Sequence, residues 1–256
     1  MEKNDFETLV EIMAKLRSEN GCPWDKEQTH ASLRQYLLEE TYEVLEALDE
    51  ENYTNLQNEL GDLLLQIVFH SQIAQEAGYF SIKDVIRSIN EKLIRRHPHV
   101  FGGAKIETAE AQKINWEKIK KKEGRKSVLD GVPNSLSALL RAHRIQSKAS
   151  HLGFDWDNAE QVWDKVEEEI KEFLDAVAQK DLSKIESEFG DLLFSLVNYS
   201  RFIGVNPEDS LRVSVEKFIK RFKYIECELA KIGRTVDSAT FDEMDEIWEK
   251  SKKSLP

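Results

Sequence analysis

The residues of this chain best suited to chemistry are carboxylates, and they occur in a spaced set. Glu39-Glu40-x-x-Glu43 is followed, fifteen residues on, by Glu59-Leu60-Gly61-Asp62. Glu40 and Glu43 are three apart and share one face of a helix, as do Glu59 and Asp62. The polar segment 49–54 between them is short enough to make the two helices an antiparallel hairpin. Four carboxylates then face one another. Like charges one helical turn apart cost roughly 0.2–0.5 kcal/mol even when exposed, and more when packed between helices. A hard divalent cation removes that repulsion, and Mg²⁺, with Mn²⁺ as a substitute, suits an all-oxygen set.

The arrangement occurs twice. Glu168-Glu169-x-x-Glu172 and Glu188-Phe189-Gly190-Asp191 repeat all five acids and the glycine at an offset of 129 residues, and both copies continue with Leu-Leu. A glutamate-rich helix face is ordinarily just solvated, but two copies with the same spacing argue for a duplicated site. Glycine inside a helix costs about 1 kcal/mol relative to alanine. Its presence at both Gly61 and Gly190 therefore suggests a close backbone approach beside the metals.

The elements that carry these acids read as helices throughout. Helical periodicity is expected over 5–19, about 31–50, about 54–77, 81–96, 107–122, about 135–150, 159–180 and 182–203, with a further helix from 207 and a last one carrying Trp248. Ser81 and Asp84 form a start signal for the helix ending near Arg96. The helices after Gly61 and Gly190 are apolar nearly all round, which implies burial on several sides and a second subunit among the neighbours. Trp24, expected in a loop, is either a core plug or a stacking platform. Glu27 and His30 give a single Glu-x-x-His pair, whereas a di-iron bundle needs two. His97-Pro98-His99 reads as a structural turn.

Cations follow the acids. Lys92, Arg95 and Arg96 close one helix, where they offset its dipole or clamp a triphosphate. Lys217, Lys220 and Arg221 take the matching places at an offset of 125. Trp116 with Lys120, and Trp248 with Lys252, each put an aromatic ring and a cation one turn apart; they are core anchors or contacts to a base and phosphates. The repeat is thus a whole domain. Expected are two all-α domains in tandem, 1–124 and 125–256, with a linker near 124–133.

Composition bounds the function. The 256 residues carry 48 acids against 36 Lys and Arg, a net charge of −12. That argues against a general nucleic-acid binder, which needs a basic face, but leaves free nucleotides open. Two cysteines make neither a disulfide framework nor a zinc site, so a reducing cytoplasm is expected. The charged first five residues lack a signal core, and no apolar run nears the ~20 residues needed to span a bilayer.

The chain resembles the MazG family within the all-α NTP pyrophosphatases. The carriers are the two acidic motifs, Cys22-Pro23-Trp24-Asp25 with Gln28-Thr29-His30, and Arg95-Arg96-His97-Pro98-His99-Val100-Phe101. The resemblance implies hydrolysis of a nucleoside triphosphate to the monophosphate and pyrophosphate, Mg²⁺, and a homodimer of helix bundles. It implies Glu40, Glu43, Glu59 and Asp62, and Glu169, Glu172, Glu188 and Asp191, as metal ligands. It further implies Lys92 with Arg96, and Lys217 with Arg221, as phosphate contacts. The second half has Phe222-Lys223-Tyr224 where the first has His-Pro-His, so the two halves need not share one preference. With no Ser or Cys nucleophile beside a His, water is the expected nucleophile, and Glu39 and Glu168 are the candidates to polarise it. A narrow dNTP or phosphoribosyl-ATP pyrophosphatase, and a non-enzymatic helical interaction protein, are the rival readings.

Overall fold

A computed structural model describes residues 4–108, 111–112, 115–116, 119, 123 and 127–254. Among these residues the regular structure is helical and there is no strand. The chain divides into two compact units, Met1–Ile106 and Glu107–Pro256.

The first unit contains α1 (Asp5–Leu16), α2 (Pro23–Glu27), α3 (Arg34–Asp49), α4 (Tyr53–Glu76), α5 (Ile82–Arg96) and α6 (Pro98–Phe101). Asn4 starts α1 by accepting the Glu7 N–H at 2.8 Å, the capping interaction expected of that residue type. Met13 of α1, Leu33, Val68 and Phe69 of α4, and Ile82 of α5 form the buried core, so α4 is the element on which α1, α3 and α5 pack. Helix α3 begins at Arg34 rather than near 31. The reason is a local turn in which Ser32 Oγ accepts the Thr29 N–H and Thr29 Oγ1 accepts the Ser32 N–H, which competes with helical bonding. Trp24 and Pro98 lie in short helices, not in a loop and a turn. Each helix has proline in its first turn, where the fixed φ suits a helix and the missing N–H needs no partner. The start signal at Ser81 holds: the Asp84 carboxylate accepts from the Ser81 N–H at 3.0 Å and from its hydroxyl at 2.6 Å.

The second unit contains α7 (Ala138–Ser150), α8 (Ala159–Gln179), α9 (Leu182–Phe202), α10 (Pro207–Lys231), a 3₁₀ turn (Val236–Ser238) and α11 (Phe241–Ser254). Helix α9 packs on α8 and α7, and α10 on α7 and α11. The two acidic hairpins, α3–α4 and α8–α9, turn in the same way. Glu51 and Lys180, 129 residues apart, both adopt the left-handed conformation. The next residues, Asn52 and Asp181, cap the following helix through their side chains. The duplication read from the acids therefore extends to the backbone of the turns.

The apolar surround expected of α4 is only half realised within the chain. Val68 and Phe69 are buried, whereas Leu60, Leu64 and Ile67 are exposed. The same holds for Phe189, Leu193 and Leu196 on α9.

The junction of α10 and α11 depends on Glu243. Its carboxylate accepts from Arg234 Nη1 at 2.7 Å and Nη2 at 3.0 Å, and from the Thr240 N–H at 2.8 Å. These bonds, the Arg234 one foremost, lower its pKa from the ordinary 4.5 to about 2. A depressed carboxylate stabilises the fold above its unfolded value and loses that contribution as pH falls through the folded one. Glu243→Gln is therefore expected to lower the Tm at pH 7, with the gap from the parent protein closing between pH 4.5 and pH 2 in thermal melts.

Candidate functional site

Helical hairpin geometry brings the predicted acids together in both units. Glu40, Glu43 and Glu59 each place a carboxylate oxygen within 4.8 Å of the others, and so do Glu169, Glu172 and Glu188. Asp62 and Asp191 lie outside these triplets. Asp62 is nonetheless close enough to help raise the pKa of Glu40, for which partial burial is the larger cause. Glu59 is pushed up as well, by desolvation first and then by Glu43. Both shifts record the same fact: negative charge here is crowded and lacks a compensating cation. The donor set is all carboxylate, so the residues present fit a hard, oxygen-seeking divalent ion. Glu39 is exposed, as is Glu168.

The two clusters differ in what surrounds them. In the second unit Lys165 sits three and four residues before Glu168 and Glu169, with its Nζ at 2.8 Å and 2.7 Å from their carboxylates. These bonds, the one to Glu168 first, hold the ammonium above its ordinary pKa. A cavity of about 670 Å³ opens beside Glu169 and Asp191, bounded also by Gln146, Phe154, Trp156 and Asn198. Arg201 stiffens its rim through ion pairing with Asp155 at 2.6 Å and a hydrogen bond to Asn198 Oδ1.

In the first unit the positions 129 residues earlier than Gln146, Lys165, Ser195 and Asn198 are Arg17, Tyr36, Gln66 and Phe69. These side chains pack on one another. The Arg17 guanidinium lies over the Phe69 ring at 5.4 Å, and Trp24 meets Tyr36 and Phe69 edge-on at 5.8 and 6.5 Å. Arg17 is further held by Glu76 at 2.8 Å. Trp24, half exposed, covers this aromatic group and is neither a sealed plug nor a free platform. His30 is not a partner for Glu27: its ring stacks on His70, with Nδ1 atoms 2.8 Å apart.

The basic and aromatic candidates stand elsewhere. Lys92 lines an apolar groove of about 840 Å³ between α4 and α5. Trp248 packs against Phe218 at 5.2 Å and under the Arg221 guanidinium at 5.8 Å, joining α11 to α10. Lys252 pairs with Glu249. Lys217, Lys220, Arg221, Trp248 and Lys252 are not among the residues that line the cavity. Arg95, Arg96 and Trp116 are described, and Lys120 lies outside the described residues.

Sequence reading missed the cavity. Lys165 was discoverable, since a lysine one turn before a glutamate is a helix ion pair. Gln146 and Asn198 carry no such signal, because only packing brings α7 against α9. The close approach expected at Gly61 and Gly190 is not found: a Cβ built on either would meet nothing within 4 Å.

The profile of the MazG nucleotide pyrophosphohydrolase domain matches residues 28–101 and 158–225. A protein of Thermotoga maritima named nucleoside triphosphate pyrophosphohydrolase/pyrophosphatase MazG is 52% identical over 250 residues, covering 96% of this chain and 95% of that one. The nucleoside triphosphate pyrophosphohydrolase of Escherichia coli K12 is 44% identical over 257 residues and covers 98% of both chains. The uncharacterised YabN of Bacillus subtilis is 45% identical over 255 residues, with this chain matching 52% of its length.

The open space at the two helical glycines generates a test. Gly61→Ala and Gly190→Ala each remove a helix-interior glycine without a clash inside the chain, so each should raise stability by about 1 kcal/mol. A loss of stability in denaturant titrations would show instead that something outside this chain packs there.

Proposed function

The chain belongs to the family of MazG nucleotide pyrophosphohydrolase domains, and we propose that it hydrolyses nucleoside triphosphates, ribo and deoxy, to the monophosphate and pyrophosphate with Mg²⁺. The observation that carries this reading is the cavity of about 670 Å³ in the second unit, which opens beside Glu169 and Asp191. That volume suits a nucleotide, and it lies beside the carboxylates that would hold the ion. The four acids Glu169, Glu172, Glu188 and Asp191 would bind Mg²⁺, and Glu40, Glu43, Glu59 and Asp62 are the corresponding set in the first unit. Bound there, the ion supplies neutralisation of phosphate charge and polarisation of water.

The chain's own residues do the rest. Glu168 (and Glu39 in the other unit) lies next to a ligand and is suited to accept a proton from the attacking water. Lys165 neutralises Glu168 and Glu169 in the free protein, so it can turn to the substrate when a metal takes over that role. Phe154 and Trp156 offer rings to a base. Lys217, Lys220, Arg221 and Lys252, and Lys92, Arg95, Arg96 and Lys120 in the first half, remain proposed phosphate contacts on the strength of the family. Trp116 and Trp248 are the corresponding candidates beside a base, although Trp248 also anchors α11. The packed Arg17–Tyr36–Phe69 group supports the second unit as the site of turnover, with the first serving a structural or regulatory part.

A homodimer and a cytoplasmic setting belong to the same reading. The exposed Leu60, Leu64 and Ile67 on α4 and Phe189, Leu193 and Leu196 on α9 support the first. Both cysteines are free, which supports the second. Among the described residues no helix is long and apolar enough to cross a membrane.

The deciding experiment is product analysis with Mg²⁺ and each NTP. Monophosphate and pyrophosphate are expected; diphosphate and phosphate would refute the reaction. Glu172→Gln keeps the side chain's shape while removing a ligand charge. It should lower kcat on the order of 100-fold or more with the fold intact, whereas Glu43→Gln should leave most turnover. Full activity in a folded Glu172→Gln protein would remove these acids from the mechanism.

A further inference from the structure

Within the cavity of the second unit one side chain has a bonding capacity that the protein does not use. Gln146 of α7 is 7% exposed. Its Nε2 donates to the Phe194 carbonyl at 2.8 Å. That bond sets the amide orientation, because a carbonyl can only accept. The other end, Oε1, is buried without a hydrogen-bond partner, and the residue lines the cavity. Leaving a buried acceptor unpaired is unfavourable, and native proteins rarely do so without a use for it.

The position of this acceptor relative to the acids is set by one helix face. Asp191, Phe194, Ser195, Asn198 and Arg201 follow at helical spacing along α9 and all border the cavity. At 1.5 Å per residue, the Phe194 carbonyl that anchors Gln146 lies roughly 4.5 Å along the axis from Asp191, and Asn198 roughly 10.5 Å. A nucleotide with its phosphates at Glu169 and Asp191 directs its sugar and then its base along this face. The base edge opposite the glycosidic bond faces the wall that α7 contributes. That edge carries the 6-substituent of a purine or the 4-substituent of a pyrimidine. An amino group there donates to Gln146 Oε1. A keto oxygen there sets two acceptors against each other. Asn198, whose Oδ1 already accepts from Arg201, has its N–H₂ left to donate to the adjacent ring nitrogen. In the first unit the matching positions carry Arg17 and Phe69, so the amide pair is confined to the unit with the cavity.

We infer that Gln146 is a specificity-determining residue and that its free carbonyl selects amino-bearing bases, adenine and cytosine, over their keto counterparts. The inference rests on the pyrophosphohydrolase reading above and adds a base preference to it.

The test uses the full chain with Mg²⁺ and compares kcat/KM for ATP against ITP and for CTP against UTP. Each pair differs in the group that meets Gln146. The wild-type protein should favour the amino member by about tenfold or more, in line with sites built around a substrate N–H. Gln146→Leu should bring both ratios close to one, and its thermal melt reports whether the variant is folded. Equal kcat/KM within both pairs for the wild-type protein overturns the inference with no variant needed, while leaving the hydrolase reading standing. If no triphosphate is hydrolysed, the hydrolase reading fails, and equilibrium binding of AMP against IMP then decides the inference without turnover: about tenfold tighter AMP supports it, and equal affinities overturn it.

Discussion

The structure depends on holding like charges together. Each acidic hairpin places three carboxylate oxygens within 4.8 Å of one another, an arrangement that opposes folding of the free chain. The response of the chain to that repulsion is visible in the raised pKa values of Glu40 and Glu59. In the second unit Lys165 inserts an ammonium between Glu168 and Glu169. Helices α3–α4 and α8–α9 can bear the repulsion because the opposite side of each hairpin buries apolar surface, worth roughly 25 cal/mol per Å². Val68 and Phe69 supply it in one unit, and Val162, Val166 and Val197 in the other. A cation that relieves the repulsion therefore finds ligands already gathered, with little ordering left to be done on binding.

Duplication has preserved the hairpin while its surroundings have diverged. The turns match down to the left-handed residue and the cap that follows, Glu51–Asn52 and Lys180–Asp181. The volume beside the acids does not match. Arg17, Tyr36, Trp24 and Phe69 occupy it in the first unit, while Gln146, Lys165 and Asn198 border open space in the second. Large side chains that touch each other add packing energy; smaller polar ones that border a cavity give it up, and such a sacrifice is what a binding site requires. The asymmetry follows from four side-chain exchanges on a common backbone.

Much of this was legible in the residues. Helical periodicity located the hairpins to within a few residues. The errors sit where local chemistry overrides periodicity: the Thr29–Ser32 turn delays α3, and Pro23 and Pro98 start short helices where a loop and a turn were expected. The glycine expectation failed for another reason. A helical glycine signals that space is needed but not by what, and at Gly61 and Gly190 the space is open within the chain. The aromatic and basic pairs stayed ambiguous because a tryptophan that anchors a helix and one that receives a base have the same spacing. The Phe218–Trp248–Arg221 contacts show an anchoring role for the second.

By itself the sequence determined the all-helical class, the tandem duplication, the acids that come together and the family, since each of these is written in residue type and spacing along one helix or one hairpin. Only the tertiary structure decided which unit has room for a ligand and which side chains border it. Gln146 on α7, Trp156 in the following loop and Asn198 on α9 are far apart in the chain and have no common period. Their juxtaposition comes from how three elements pack, and the unpaired carbonyl of Gln146 exists only once the Phe194 backbone has taken the other end of its amide. Periodicity reports which face of an element is buried; it carries no record of the small voids left when faces meet.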